Sequence, residues 1–363
     1  MRPAGEQTPG AQWTARIEEY SSTIDRTVRL MEVCGTHTMV AFRSGLRSLL
    51  PKRVSLISGP GCPVCVTPDG YIDAAIELST LPAVTITTFG DLVRVPGSAS
   101  SLERERANGA AVEVVYSPTD ALALARADSS RSVVFLAVGF ETTVPGIAVA
   151  VRTAREEGVD NFMILSALKT MPGPMRALAG EGEVAIDGFV CPGHVSVITG
   201  ASAFAFLAEE FRIPCVVTGF EDLDLLKGVA MLLAQVAEGR SEVEIEYTRA
   251  VGMDGNRVAQ QVMAEVFEPC DSEWRGLGTI PGSGLSLRER FAPHDAAGRF
   301  GLEVRSAPPV SGCRCGDVLR GVLTPPRCPL FDRACTPATP VGPCMVSSEG
   351  ACAAFWRYGR RPA

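Results

Sequence analysis

Histidine is scarce in this chain, with three in 363 residues, and no run of Lys or Arg is long enough to act as the electrostatic footprint of a nucleic-acid binder. Acidic residues outnumber basic ones by 41 to 34, for a net charge of −7, so nucleic acid is not an expected partner. Long hydrophobic runs are missing too. The longest apolar stretches, at 133–138 and 231–237, fall far short of the roughly 20 residues a membrane helix requires. The opening residues are polar and lack the apolar core of a signal peptide. These absences set the expectation of a cytoplasmic protein with no membrane partner. In such a reducing compartment, dense cysteine argues for metal or redox chemistry over a disulfide framework.

Cysteine is what the chain has in quantity. Six of the twelve fall between 313 and 352: Cys313, Cys315, Cys328, Cys335, Cys344 and Cys352. Paired histidines and C-x-x-C knuckles, the usual marks of a zinc site, are lacking in this stretch, whereas a [4Fe–4S] cluster needs four thiolates. An iron–sulfur cluster is therefore expected there, on Cys313, Cys328, Cys335 and Cys352 by spacing, with Cys315 and Cys344 able to substitute. Structural zinc is the bland alternative. Cys191, Cys215 and Cys270 read as small buried hydrophobes.

With 46% hydrophobic residues the chain can bury a substantial core. Short β-branched runs at 54–58, 83–87, 112–116, 133–138, 162–166, 188–190 and 215–218 alternate with helical stretches at 71–79, 102–108, 119–127, 145–157, 197–206 and 223–238. That βαβ rhythm predicts an α/β fold with parallel sheets. A short echo, Gly-Phe-Glu at 139–141 and again at 219–221, suggests two similar α/β units. The expected organisation is an N-terminal segment (1–30) packing on the cluster domain, a first α/β domain (31–118), a second (119–267), and a small cysteine-rich iron–sulfur domain (268–363) of little periodicity.

Ligands of open α/β sheets sit beyond the carboxyl ends of the strands, so chemistry is sought in the strand-end turns. One such turn carries Cys34-Gly-Thr-His37, ahead of a helix expected over 39–50. A helix N-terminus stabilises a thiolate, and His37 offers a base, a hydrogen-bond partner or a second ligand. Another carries Cys62-Pro-Val-Cys65 between Gly and Pro residues, a spacing that suits a reversible disulfide or shared metal binding. A third carries His194 with Ser196 as a possible N-cap, and a fourth carries Glu141, which orients a histidine or a loop or caps the next helix. His294, in a polar segment, reads as a surface residue.

The strings Met-Glu-Val-Cys-Gly-Thr-His-Thr at 31–38, Gly-Pro-Gly-Cys-Pro-Val-Cys-Val-Thr-Pro at 59–68, Gly-Phe-Glu-Thr-Thr at 139–143, Pro-Gly-His-Val-Ser at 192–196 and the tail run from Cys335 to Cys352 closely resemble the hydrogenase maturation factor HypD family. The resemblance spans nearly the whole chain after about the first 20 residues. Met39 departs from it, standing where many relatives place a second His, so no imidazole role is carried to that position.

The resemblance implies a scaffold on which the Fe(CN)2CO unit of [NiFe]-hydrogenases is assembled. It implies docking of the small chaperone HypC, cyanide delivery by HypE, and a tail [4Fe–4S] cluster that feeds electrons towards a cleft. On this chain Cys34 would be the leading iron ligand, Cys62 and Cys65 a thiol pair that ligates iron or changes redox state, and His194 and Glu141 would line the same cleft. An iron–sulfur thiol–disulfide reductase is the competing reading, from the same combination of cluster and C-x-x-C pair.

Overall fold

The computed structural model describes residues 8–180, 183–304 and 312–359. Eleven strands among the described residues form two parallel sheets and a hairpin. The first sheet has the order β2-β1-β7-β8-β9, from Val54–Ser58 (β2), Val28–Glu32 (β1), Gly188–Pro192 (β7), Cys215–Thr218 (β8) and Val243–Ile245 (β9). The second has the order β4-β3-β5-β6, from Val112–Val114 (β4), Val84–Thr88 (β3), Ser132–Gly139 (β5) and Phe162–Leu168 (β6). The two sheets and the cysteine-rich region near the C-terminus match the expected α/β class.

The boundaries differ from those expected. β3 and β4 lie before residue 118 and β5 after it, yet β3 pairs with both, so a division at 118 cuts through the second sheet. The first sheet is discontinuous in sequence, because β1 pairs with β7 as well as β2 and the chain builds the second sheet in between. The Gly-Phe-Glu echo marks equivalent places, starting on the last residue of β5 in one sheet and just after β8 in the other.

β1 escaped the periodicity reading because it buries four of its five residues, exposing only Arg29, and so shows no alternation. Buried Val28 and Leu30 join Ile17, from the helix Pro9–Ser22, and Leu225, Leu226 and Val229, from the helix Asp222–Glu238, in one apolar layer. The N-terminal helix therefore packs on Asp222–Glu238, a correction to its expected seat on the cluster domain; residues 1–7 of that segment lie outside the described residues.

From 267 onward the chain forms an antiparallel hairpin, Phe267–Trp274 (β10) with Gly278–Leu287 (β11), where the sequence shows little periodicity. A register shift between Cys270 and Ser272 breaks its period of two, which hides it from a pattern search. β11 then covers the free edge of β6: Lys169 bridges Gly284, and Ser166 Oγ donates to Leu285 O at 2.9 Å.

Two expected helices are broken by glycine. The 39–50 helix is Gly35–Arg43 followed by Leu46–Leu49, divided at Gly45, whose φ is +73°. The 197–206 helix is Gly193–Thr199, a 3₁₀ turn Ala201–Phe204 and Ala205–Glu209, because Gly200 turns the chain with φ +83°. Ser196 sits inside the first of these and is not its N-cap; its Oγ donates to Pro192 O at 2.8 Å. His294 is buried, not a surface residue, since the turn Glu289–His294 packs on β6 and Nδ1 donates to Phe162 O at 2.8 Å. Cys191 and Cys215 are fully buried in the core, as expected, and Cys270 is half-buried on the hairpin.

Candidate functional site

Parallel pairing in the first sheet puts the carboxyl ends of β1, β2, β7 and β8 along one edge, and those ends carry Cys34, Cys62, His194 and Phe220. β1 and β2 pair in register through Glu32 and Ser58. Beyond that pair the loops stay in backbone contact. Gly59 N donates to Glu32 O at 2.8 Å and Gly35 N to Gly61 O at 3.0 Å. A Cβ on Gly61 would lie 2.3 Å from Cys34 N, so only glycine fits there. Cys34 and Cys62 are thus next to one another because each adjoins a residue of this contact. Buried Glu32, paired with Arg47 and accepting from Ser58 Oγ at 3.0 Å, ties the two strand ends together.

Cys62 and Cys65 form a disulfide across the turn Pro63–Val66, with Cα atoms 5.2 Å apart, and both are buried. Cys34 is a free, partly buried thiol at the N-cap of Gly35–Arg43. The helix end does not leave it ionised: burial pushes its pKa up to about 11, and the Glu349 carboxylate adds to the rise against N–H donors from His37 and Thr36. A proton must therefore leave before Cys34 can serve as a ligand or nucleophile.

His37 is fully buried, and its Nε2 lies 3.1 Å from Thr218 O and 3.0 Å from Gly219 O. Two carbonyls there require Nε2–H, which leaves Nδ1 as a bare acceptor with no partner among the described residues. Burial drives its pKa down to about 4, so the ring is neutral near pH 7. Phe220 stacks between His37, at 4.7 Å, and the exposed His194, at 3.8 Å. The structure therefore groups Cys34, His37, Cys62, Cys65 and His194 at one edge.

Glu141 belongs to the other sheet. Its Oε1 accepts from Met171 N at 2.9 Å, joining the turns that follow β5 and β6, while buried Oε2 has no partner among the described residues. It holds a loop; it neither orients a histidine nor caps a helix. Burial raises its pKa to about 7.

The tail reaches the same edge. Thr36 Oγ1 donates to Glu349 Oε1 at 2.7 Å, and the helix Ala351–Tyr358 packs on Gly35–Arg43. The turn Pro343–Val346, which carries Cys344, packs on Pro63–Val66. All six tail cysteines line one pocket, walled by Val318, Leu330, Phe331 and Met345. Gly342 presses on it, since a Cβ there would meet the sulfurs of Cys313 and Cys315 at 2.9 and 3.2 Å, and Val341 N donates to Cys335 Sγ at 3.3 Å. A thiol-only donor set in an apolar wall with an N–H aimed at sulfur fits an iron–sulfur cluster. Among the described residues no three His, Cys, Asp or Glu side chains are grouped to hold a single ion. A cubane is ligated differently, one thiolate to each iron around its body. Cys313, Cys328, Cys335 and Cys352 are all in the ring, and so are Cys315 and Cys344.

Residues 10–359 match the HypD model, described as the hydrogenase formation hypA family. The chain belongs to the HypD family. It is 49% identical over 343 residues to the hydrogenase maturation factor HypD of Rhizobium leguminosarum bv. viciae, spanning 92% of this chain and 89% of that one. Proteins of the same name from Rhodobacter capsulatus and Escherichia coli K12 are 45% and 46% identical over 347 and 346 residues, each covering 94% of this chain and 92% of the relative. Sequence reasoning within this HypD-family chain missed Phe220, Glu349 and the Glu32–Arg47 pair. Glu32 and Glu349 stood inside the recognised strings, but only the fold shows what they touch. No described helix is long and apolar enough to cross a membrane.

Proposed function

We propose that this chain acts in hydrogenase maturation as the scaffold on which the Fe(CN)2CO unit of [NiFe]-hydrogenase is assembled. Iron is the cargo, taken by Cys34 and by Cys62 and Cys65 once their disulfide is opened. A [4Fe–4S] cluster held by four of the six tail thiols supplies electrons. The small chaperone HypC and the cyanide-delivering HypE are the partners this reading requires, and it places the work in the cytoplasm.

The observation that carries it is the backbone contact of the Cys34 and Cys62 loops at Gly61, with the Cys344 turn packed against the disulfide's own turn. Two electrons and two protons convert the disulfide into two thiols, and thiolates are the soft donors that low-spin iron bearing cyanide and CO prefers. Neutral His37, with its bare Nδ1, presents a hydrogen-bond acceptor at this edge.

Infrared spectroscopy of the anaerobically isolated chain with its small partner tests the proposal. CN and CO bands are expected in the native protein and are lost in Cys34→Ala, while the tail cluster's absorbance stays. Bands that persist without Cys34 would remove it as the essential ligand. A disulfide beside a cysteine pocket also suits an iron–sulfur thiol–disulfide reductase. Turnover of a thioredoxin-like substrate, without CN or CO bands, is the result that would favour that second reading.

A further inference from the structure

The turn between β10 and β11 lies between the disulfide and the tail pocket. On one side Arg275 N donates to Val66 O at 2.9 Å, one residue past Cys65. Its side chain reaches the same segment, with Nε donating to Thr67 O at 3.0 Å and the guanidinium fork holding Asp69, Nη1 to Oδ2 at 2.7 Å. On the other side Gly276, with φ +78°, lies against Gly316, next to Cys315; a Cβ on Gly276 would fall 2.1 Å from Gly316 Cα. One route from Cys65 to Cys315 therefore runs through Val66, Arg275, Gly276 and Gly316.

Asp69 is buried and Arg275 largely covered, with side chains 5% and 10% exposed, and they line a cavity together with Cys313 and Cys315. Two other arginines at that cavity, Arg314 and Arg320, are both paired with Asp317. The bidentate pair thus places one fixed positive and one fixed negative group between the disulfide turn and the thiol pocket, in a low-dielectric interior where charges act strongly.

We propose that the Arg275–Asp69 pair sets the reduction potential of the cluster in the tail pocket and ties that potential to the placement of the Cys62–Cys65 turn, an inference that rests on the function proposed above. Reduction adds one electron, and so one negative charge, to the cluster. The guanidinium stabilises that added charge and the carboxylate opposes it. Removing each group should therefore move the potential in opposite directions, which a purely structural role would not do.

The experiment is an anaerobic redox titration, with dithionite as electron donor and electron paramagnetic resonance as readout, on the reconstituted full chain and its variants. Arg275→Gln is expected to shift the midpoint to more negative potential and Asp69→Asn to more positive. Arg275→Lys, which keeps the charge but loses the fork, should stay near the native value. If Arg275→Gln fails to fold, Asp69→Asn and Arg275→Lys still carry the comparison. A loaded chain in which Asp69→Asn fails to shift the midpoint upward, or shifts it the same way as Arg275→Gln, overturns the inference alone. A native chain that takes up no cluster overturns the proposed function, and the inference with it.

Discussion

Glu141 shows why a residue can be picked out correctly and still be given the wrong work. The string around it marked a strand-end turn with a carboxylate, but the partner of that carboxylate, Met171 N, comes from the neighbouring strand's turn 30 residues later. Its buried second oxygen has no partner among the described residues, and burial raises its pKa from 4.5 to about 7. A raised carboxyl pKa contributes stability that is full below the unfolded value and is lost as pH climbs through the folded one. Glu141→Gln keeps the acceptor for Met171 and carries no charge, so it should leave stability unchanged below pH 4.5 and raise it above pH 7, by about 3 kcal/mol at most. Urea midpoints across that range decide it; equal differences at both ends would mean that Glu141 does not titrate as its burial implies. Gly61 makes a complementary case, because the sequence showed a Gly-Pro-Gly turn but not what it touches. Gly61→Ala sets a methyl group against the Cys34 backbone and should cost roughly 3 kcal/mol. A variant of native thermal midpoint would show that the two loops are further apart than described.

At the level of elements, strands with continuous β-branched runs were legible, and both β5 and β8 lie where the pattern put them. β1 was lost because burial on both faces removes alternation, and the hairpin because its register shift does the same. Sheet membership could not be read, since a parallel pair such as β1 and β7 is fixed by crossovers rather than by local sequence. The contact between Glu349 and the Cys34 helix is hidden for a similar reason: its partners are 313 residues apart. Burial raises the Cys34 pKa and the Glu349 carboxylate raises it further, so Glu349→Gln, which preserves an acceptor for Thr36, should make Cys34 more reactive. Iodoacetamide labelling at neutral pH, read by peptide mass spectrometry, should show several-fold faster modification of Cys34 than in the native chain. An unchanged rate would mean that the tail carboxylate does not act on this thiol.

Across the whole molecule, one apolar cluster joins the carboxyl edge of the first sheet, the hairpin and the tail: Met31, Cys62, Cys65, Trp274, Cys344 and Cys352 all belong to it. The opposite face of that sheet is closed by the N-terminal helix. The second sheet is covered by two clusters of its own. The cysteine-rich region therefore packs into the same apolar cluster as the first sheet and the hairpin. Its thiols line one pocket inside that shared packing. Trp13, on the N-terminal helix, packs against the cluster on one face of the first sheet, Trp356, on the last helix, packs against the shared cluster, and the third tryptophan, Trp274, belongs to the shared cluster. If sheet and tail share a core, single-tryptophan chains reporting from Trp13 and from Trp356 should unfold in urea with coincident midpoints. A Trp356 transition at distinctly lower urea, with Trp13 still native, would mean that the tail opens independently, as a segment with few contacts of its own would do.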